Sequence, residues 1–173
     1  WTPTQRKNIW KTSYIYDKAG NIIFDYGEVV GYMRQNIRGL TENYQFYQSE
    51  EDGFVYLYCD KGNPAKVYKS IEIASGVSFF TISGGVGDVT IDNICMLYSA
   101  AHGISGLAGN HDITVTNCEM GYVGGWKRET GRLGNAIQMW SSVEGFHVKN
   151  NWIYQTFDTA ISWQGTSGSK TPA

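Results

Sequence analysis

Three stretches of the chain carry one pattern: DVTIDNICM at 88–96, DITVTNCEM at 112–120 and GFHVKNNWI at 145–153. In each, two apolar residues alternate with spacers, an asparagine follows, and an apolar residue lies three places beyond it. A second phrase keeps step with the first: Gly103-Ile104-Ser105, Ala136-Ile137-Gln138 and Ala160-Ile161-Ser162. Asn93 and Asn117 are 24 residues apart, and so are Ile137 and Ile161. Asn117 to Asn150 and Ile104 to Ile137 are both 33, so one repeat holds nine extra residues. Self-similarity at a period of about 20–50 residues marks a chain that stacks copies of one small unit.

The alternation Val89/Ile91, Ile113/Val115 and Phe146/Val148 is that of a strand with one buried face. No segment of the repeats keeps a helical period. Gly, Asn, Ser and Asp separate the strands, as turns require. A unit of this length with two or three short strands fits one coil of a parallel β-helix. Leucine-rich and propeller repeats fit less well, since neither signature row is present. Stacking at roughly 4.8 Å would align Val89, Ile113 and Phe146 in one interior row. Ile91, Val115 and Val148 would form a second row, and Ile104, Ile137 and Ile161 a third. Asn93, Asn117 and Asn150 would form a ladder at the corner, with amides bonded from coil to coil.

The 173 residues suit one domain, with a net charge of −2 and no Lys/Arg-rich run to hold nucleic acid. No apolar stretch approaches about 18 residues, so no membrane span is expected. Aromatic residues make up 14% of the chain, which suits a packed β protein or a surface that stacks on sugar rings. Cys95 and Cys118 fall one register apart on neighbouring coils, so buried free thiols are expected rather than a bridge. Residues 166–173, TSGSKTPA after Gly165, read as a flexible, uncapped tail. About four coils fit between residues 67 and 165, and a solenoid needs closed ends. The expectation is an incomplete solenoid from a longer chain, with further coils C-terminal and an open end suited to end-to-end self-association.

Residues 1–66 do not follow the repeat. Residues 21–24 read as a strand, and residues 44–47 and 54–58 as two more, joined through Asp52-Gly53 as a hairpin. Gly62-Asn63-Pro64 is a turn, and residues 67–74 a further strand. This part is expected to be an opening coil plus a β-hairpin lead-in, too short for a substantial core of its own. The coils are expected over 67–165.

Inward Ile137 and Ile161 put Gln138, Trp140, Ser162 and Gln164 outside, with Met139 and Trp163 inside. That strip of amide, hydroxyl and indole groups suits a sugar, and reads equally as an ordinary outer face. The extra residues, at about 122–133, bring Trp126, Lys127, Arg128, Glu129 and Arg132 over the same side. Arg128 or Arg132 would pair with a uronate carboxylate in a fork, or belong to a solvated loop. His102 and Asn135 are equivalent one coil apart, followed by Thr159; His102 suits sugar binding or proton transfer, or a structural role. His111 and His147 lack partners at metal-ligand spacing. No cofactor motif is present.

The Val-x-Ile-x-Asn-Asn-x-Ile phrase and the Gly/Ala-Ile element resemble right-handed parallel β-helix repeats of the pectate-lyase-like superfamily, over about residues 67–165. The phrase FYQSEEDGFVYLY at 46–58, then Gly-Asn-Pro and SIEIA at 70–74, looks like the lead-in of large secreted β-helix proteins that act on polysaccharides. The resemblance implies an all-β, right-handed parallel β-helix, secreted or at the cell surface, with a polysaccharide or oligosaccharide as partner. It implies a glycoside hydrolase on a complex glycan, and a catalytic role for Asp158, which precedes a small-aliphatic pair as in related glycosidases. Asp158 also reads as a turn-former. Hydrolysis usually takes two carboxyl groups, about 5–5.5 Å apart when retaining and about 6.5–9.5 Å when inverting; Glu119, Glu129 and Glu144 are the second acids on offer. A polysaccharide lyase would want a base and often Ca²⁺, but no cluster of three Asp faces outward, so no metal is expected. A non-catalytic glycan-binding or adhesion module, or a structural spacer, is the alternative.

Overall fold

Short alternating runs become short strands. The computed structural model describes residues 1–16, 19–76, 78–128, 131–141 and 143–165; the tail at 166–173 lies outside the described residues. The first part runs β1 (Thr2–Pro3), β2 (Ile9–Ile15), β3 (Ala19–Phe24), β4 (Val29–Val30), β5 (Tyr32–Met33), β6 (Gln45–Gln48) and β7 (Phe54–Tyr58). A one-turn helix α1 (Pro64–Val67) and β8 (Ile71–Ser75) follow. The second part runs β9 (Phe80–Ile82), β10 (Gly87–Asp92), β11 (Cys95–Leu97), β12 (Ile104–Gly106), β13 (His111–Thr116) and β14 (Glu119–Val123). It continues through β15 (Trp126–Arg128), β16 (Gly131–Leu133), β17 (Ile137–Trp140), β18 (His147–Lys149), β19 (Trp152–Thr156) and β20 (Ile161–Gln164). The architecture is all-β, with parallel sheets in the second part.

The strands of the second part come in triplets, and each triplet gives one strand to each of three parallel sheets. The first sheet is β9-β12-β17-β20, the second β10-β13-β18 and the third β11-β14-β19. Self-similar positions are the ones that pair. Val89 lies beside Ile113, and Ile91, Val115 and Val148 form one row. Met96, Met120 and Ile153 form another, and Phe80, Ile104, Ile137 and Ile161 a third. The inner members of these rows are the core between the sheets, with Val89, Phe146, Val148 and Ile153 packed at its margins, while Phe80 and Ile161 at the two ends of their row are exposed. The extra residues leave the stack between β14 and β17 as an antiparallel hairpin, β15–β16. The chain returns in register, so pairing before and after the hairpin is undisturbed.

Three corners of each triplet use left-handed backbone, and they too fall in register. Asp88, Asp112 and Gly145 have φ of 56°, 51° and 60°. Asn93, Asn117 and Asn150 have φ of 56°, 52° and 54°. Tyr98, Tyr122 and Gln155 have φ of 68°, 52° and 49°. Asn and Asp tolerate this conformation better than most residues, because their short side chains bond locally. The asparagine row therefore marks a corner as expected, but by backbone conformation rather than by an amide ladder. All three side chains are exposed, and Asn117 donates to the carboxylate of Asp92 at 2.8 Å, not to a neighbouring Asn. Bulky tyrosines in this region cost roughly 1–3 kcal/mol each. The rings of Tyr98 and Tyr122 stack at 5.3 Å and 17°, which returns about 0.5–1.5 kcal/mol.

The first part holds a second core, of Ala19, Ile22, Phe24, Phe46, Val55 and Leu57, where the sequence pointed to little core at all. Sheet β1-β2-β7-β6-β5 and sheet β4-β3-β8 enclose it. The expected hairpin is β6–β7, with Phe46 opposite Leu57 and Gly53 at φ 72° in its turn. Burial pushes the Asp52 carboxyl up, but bonds from the Tyr56 hydroxyl, the Phe54 N–H and Ser49 outweigh it and leave the group below its ordinary range. The expected strand at 67–74 is β8, Ile71–Ser75, and it pairs elsewhere than in the parallel stack: it runs antiparallel to β3, and parallel pairing begins at β9. All three cysteines are free; Cys59 and Cys118 are buried, whereas Cys95 points outward beside Glu119.

One residue rivets the two parts together. The Asn21 amide donates to the carbonyls of Ser99, Tyr122 and Gly124, each at 2.8 Å. Beside it, a Cβ on Gly20 would fall against the backbone of Ala100, so the chains touch there as glycine permits and alanine does not.

The stack predicts a contrast within one row. Ile137 is 0% exposed, whereas Ile161, at the outer edge of β20, is 49% exposed. Ile137→Ala is expected to cost about 2–5 kcal/mol, and Ile161→Ala well under half of that, read from denaturant midpoints at constant slope. Asn21→Asp, which sets a carboxylate against three carbonyls, is expected to destabilise by about 1–3 kcal/mol. Equal midpoints for Asn21→Asp and the parent protein would remove the rivet from this account.

Candidate functional site

Alternation along β17 buries Ile137 and Met139 and turns Gln138 and Trp140 outward. Parallel register then sets Thr81, Ser105, Gln138 and Ser162 side by side across the outer face of the first sheet. Trp140 and Gln164 form the next row. The β15–β16 hairpin stands over this face and closes it into a groove of about 680 Å³. Trp126, Arg132 and Leu133 line it from the hairpin, and His102 and Asp158 line it from the corners before β12 and β20. Seven residues singled out in the sequence thus lie around one space: His102, Trp126, Arg132, Gln138, Trp140, Asp158 and Gln164. Arg128 belongs to β15 by its backbone, and its side chain lies outside what the structure describes.

A polar chain crosses the triplets beneath the groove. The Asn135 N–H donates to His102 Nδ1 at 3.2 Å. The Asn135 side-chain oxygen accepts from the Thr159 N–H at 3.1 Å and from its hydroxyl at 2.6 Å. The Asn135 amide donates to Gln138 Oε1 at 2.6 Å. His102, Asn135 and Thr159 are the equivalent positions noted in the sequence, and hydrogen bonds join them in that order. Two consequences follow for the groove. An Nδ1 that accepts a backbone proton places the proton of a neutral His102 on Nε2. A Gln138 oxygen already engaged leaves its NH₂ group as the available donor.

Asp158 is exposed, and its backbone N–H donates to the Gly134 carbonyl at 3.2 Å. Among the described residues no hydrogen bond or ion pair engages its carboxylate. A turn-forming Asp looks different: Asp52 Oδ1 accepts the Phe54 N–H two residues on, at 3.1 Å. The second acids considered in the sequence do not join Asp158. Glu119 faces outward from the third sheet, where it accepts the Tyr154 hydroxyl at 2.7 Å. That bond, with burial behind it, holds the Tyr154 phenol up at about 12. Glu144 sits beside His111 in a bridge next to the second sheet, and Glu129 lies outside the described residues. Asp158 is therefore the one carboxylate lining the groove among the described residues. Nor do the described residues contain a group of three or more His, Cys, Asp and Glu placed to hold a metal ion.

Ser105 and Thr81 belong to the groove floor and were not singled out in the sequence. Their signal was there: they stand at the Gln138 position one and two triplets back. Leu133 had no such signal, since its place depends on the fold of the hairpin.

Asn135 is 1% exposed and serves His102, Gln138 and Thr159 at once. Asn135→Ala should lower stability by about 1–3 kcal/mol through the partners it strands, measured by denaturant unfolding. It should also free the Gln138 side chain, seen as averaging of its amide NMR signals; an unchanged Gln138 environment would refute the link.

Compared with known proteins, the chain matches no family model, no curated protein and no solved structure.

Proposed function

We propose that this chain is part of a secreted right-handed parallel β-helix protein of the pectate-lyase-like kind, and that its groove binds a stretch of polysaccharide. The observation that carries the reading is the groove itself. A row of hydroxyl and amide groups, Thr81, Ser105 and Gln138, lies beside the Trp140 indole under a hairpin that carries Trp126. Sugars need that pairing, because a pyranose has hydroxyls around its rim and an apolar C–H face. The parallel triplets support the β-helix part of the proposal: each returns to the same three sheets after 24 or 33 residues.

Glycoside hydrolysis is the second reading, favoured by one observation: the Asp158 carboxylate lines the groove, and no hydrogen bond or ion pair among the described residues engages it. In this reading Asp158 is the acid that protonates the leaving oxygen, and His102 lines the same groove. The missing partner acid separates the two readings, since the described residues bring only one carboxylate to the groove.

A glycan panel, read for both binding and cleavage on the parent protein and on Asp158→Asn, tests this. Hydrolysis predicts that the variant binds as before and cleaves about 10²–10⁴-fold more slowly. Binding without cleavage by either protein leaves the glycan-binding reading alone. A panel that neither binds nor is cleaved overturns both.

A further inference from the structure

A second cavity lies on the far side of the β15–β16 hairpin, with a volume of about 650 Å³. One wall comes from the first part of the chain: Arg34 beyond β5, Tyr47 on β6, and Glu50 and Glu51 in the turn after it. Trp126 and Arg132 of the hairpin form the other wall, and they line both cavities. Phe157 closes the end, and the next residue in the chain, Asp158, lines the groove. The two spaces are thus neighbours, with the hairpin as partition.

We infer that this second cavity is a further sugar-binding site, continuous with the groove, which holds more distant rings of the same neutral glycan chain. The inference rests on the glycan reading of the groove and adds the ligand's charge and extent. Three observations carry it. The lining pairs aromatic faces, Tyr47 and Trp126, with groups that bond hydroxyls from both sides, guanidinium as donor and carboxylate as acceptor. Its charges balance, since Arg34 and Arg132 stand against Glu50 and Glu51. A uronate or phosphate chain would meet two carboxylates there, whereas a neutral sugar meets donors and acceptors alike.

The wall is also held in place before any ligand arrives. Tyr47 stacks on Tyr56 at 6.2 Å and 28°, and the Tyr56 hydroxyl donates to Asp52 at 2.6 Å. Gln48 donates to the Tyr16 carbonyl at 2.6 Å and accepts the Ala19 N–H at 2.8 Å. The hairpin begins two residues after Gly124, whose carbonyl the Asn21 amide binds. Both walls are therefore anchored to β3 or its flank, and a preformed cavity of this kind loses little entropy on binding.

Binding of short and long manno-, xylo-, gluco- and galacto-oligosaccharides tests the inference, with oligogalacturonate as the charged series. The proteins are the parent, Tyr47→Ala, Arg34→Ala and Gln138→Ala. In the parent, the long member of one neutral series is expected to bind about tenfold or more tighter than the short one. Tyr47→Ala and Arg34→Ala should each erase most of that gain and leave short-chain affinity alone; Arg34 is exposed, so its variant does not hinge on folding. Gln138→Ala should weaken short and long alike. A length gain that survives in both Tyr47→Ala and Arg34→Ala, or no gain at all, overturns the second site while short-chain binding upholds the groove. A gain seen only with oligogalacturonate overturns the neutral assignment. No binding at any length overturns the groove reading, and this inference with it.

Discussion

Parallel hydrogen bonding between strands 24 or 33 residues apart holds the second part of this chain together, and the rest of the molecule hangs on its register. Because side chains alternate along a strand, a slip of one residue would turn Ile104, Ile137 and Met139 outward and Gln138 and Ser105 in. Burial of the aliphatic rows therefore fixes which residues form the groove floor. It also fixes where the left-handed corners fall, since Asn93, Asn117 and Asn150 can occupy equivalent bends only in this alignment. The β15–β16 hairpin is tolerated because it leaves the stack and returns to it without displacing a pair on either side.

The same alignment explains why the groove is built from residues far apart in sequence. Each triplet contributes one outward residue to the floor, and the corners contribute His102, Asn135 and Thr159 to one hydrogen-bonded line. At the outer edge of β20 the pattern continues while its burial stops. Trp163 occupies the register position of Met139, yet it is 56% exposed against 0%. Position in a row decides direction; only a covering strand decides burial.

Much of the site was legible because it obeys the period. Gln138, Trp140 and Gln164 follow from alternation once Ile137 and Ile161 are placed inside, and the pairing of His102 with Asn135 follows from their offset. The state of Asp158 was not legible: its sequence context fits a turn-former as well as an available acid, and the choice depends on which backbone groups lie within reach. The asparagine row was only half legible. Its place at a corner followed from the repeat, but the partner of the Asn117 amide did not: it is the carboxylate of Asp92, the residue before Asn93 on the neighbouring strand. Cys95 likewise turned out exposed, since its strand presents that position beside Glu119 on the outer face.

By itself the sequence determined the strand periods, the spacing of the pairing partners, the position of the extra residues and the inward or outward sense of each repeat position. Those are local properties, set by alternation and turn chemistry, and they repeat. Only the tertiary structure decided how the first part of the chain meets the second. Nothing in residues 1–66 repeats, so no offset announces that Asn21 reaches the carbonyls of Ser99, Tyr122 and Gly124. That contact between segments without shared period brings Arg34, Tyr47, Glu50 and Glu51 opposite the hairpin. Long-range packing of this kind depends on the shapes of two finished surfaces, which no local pattern encodes.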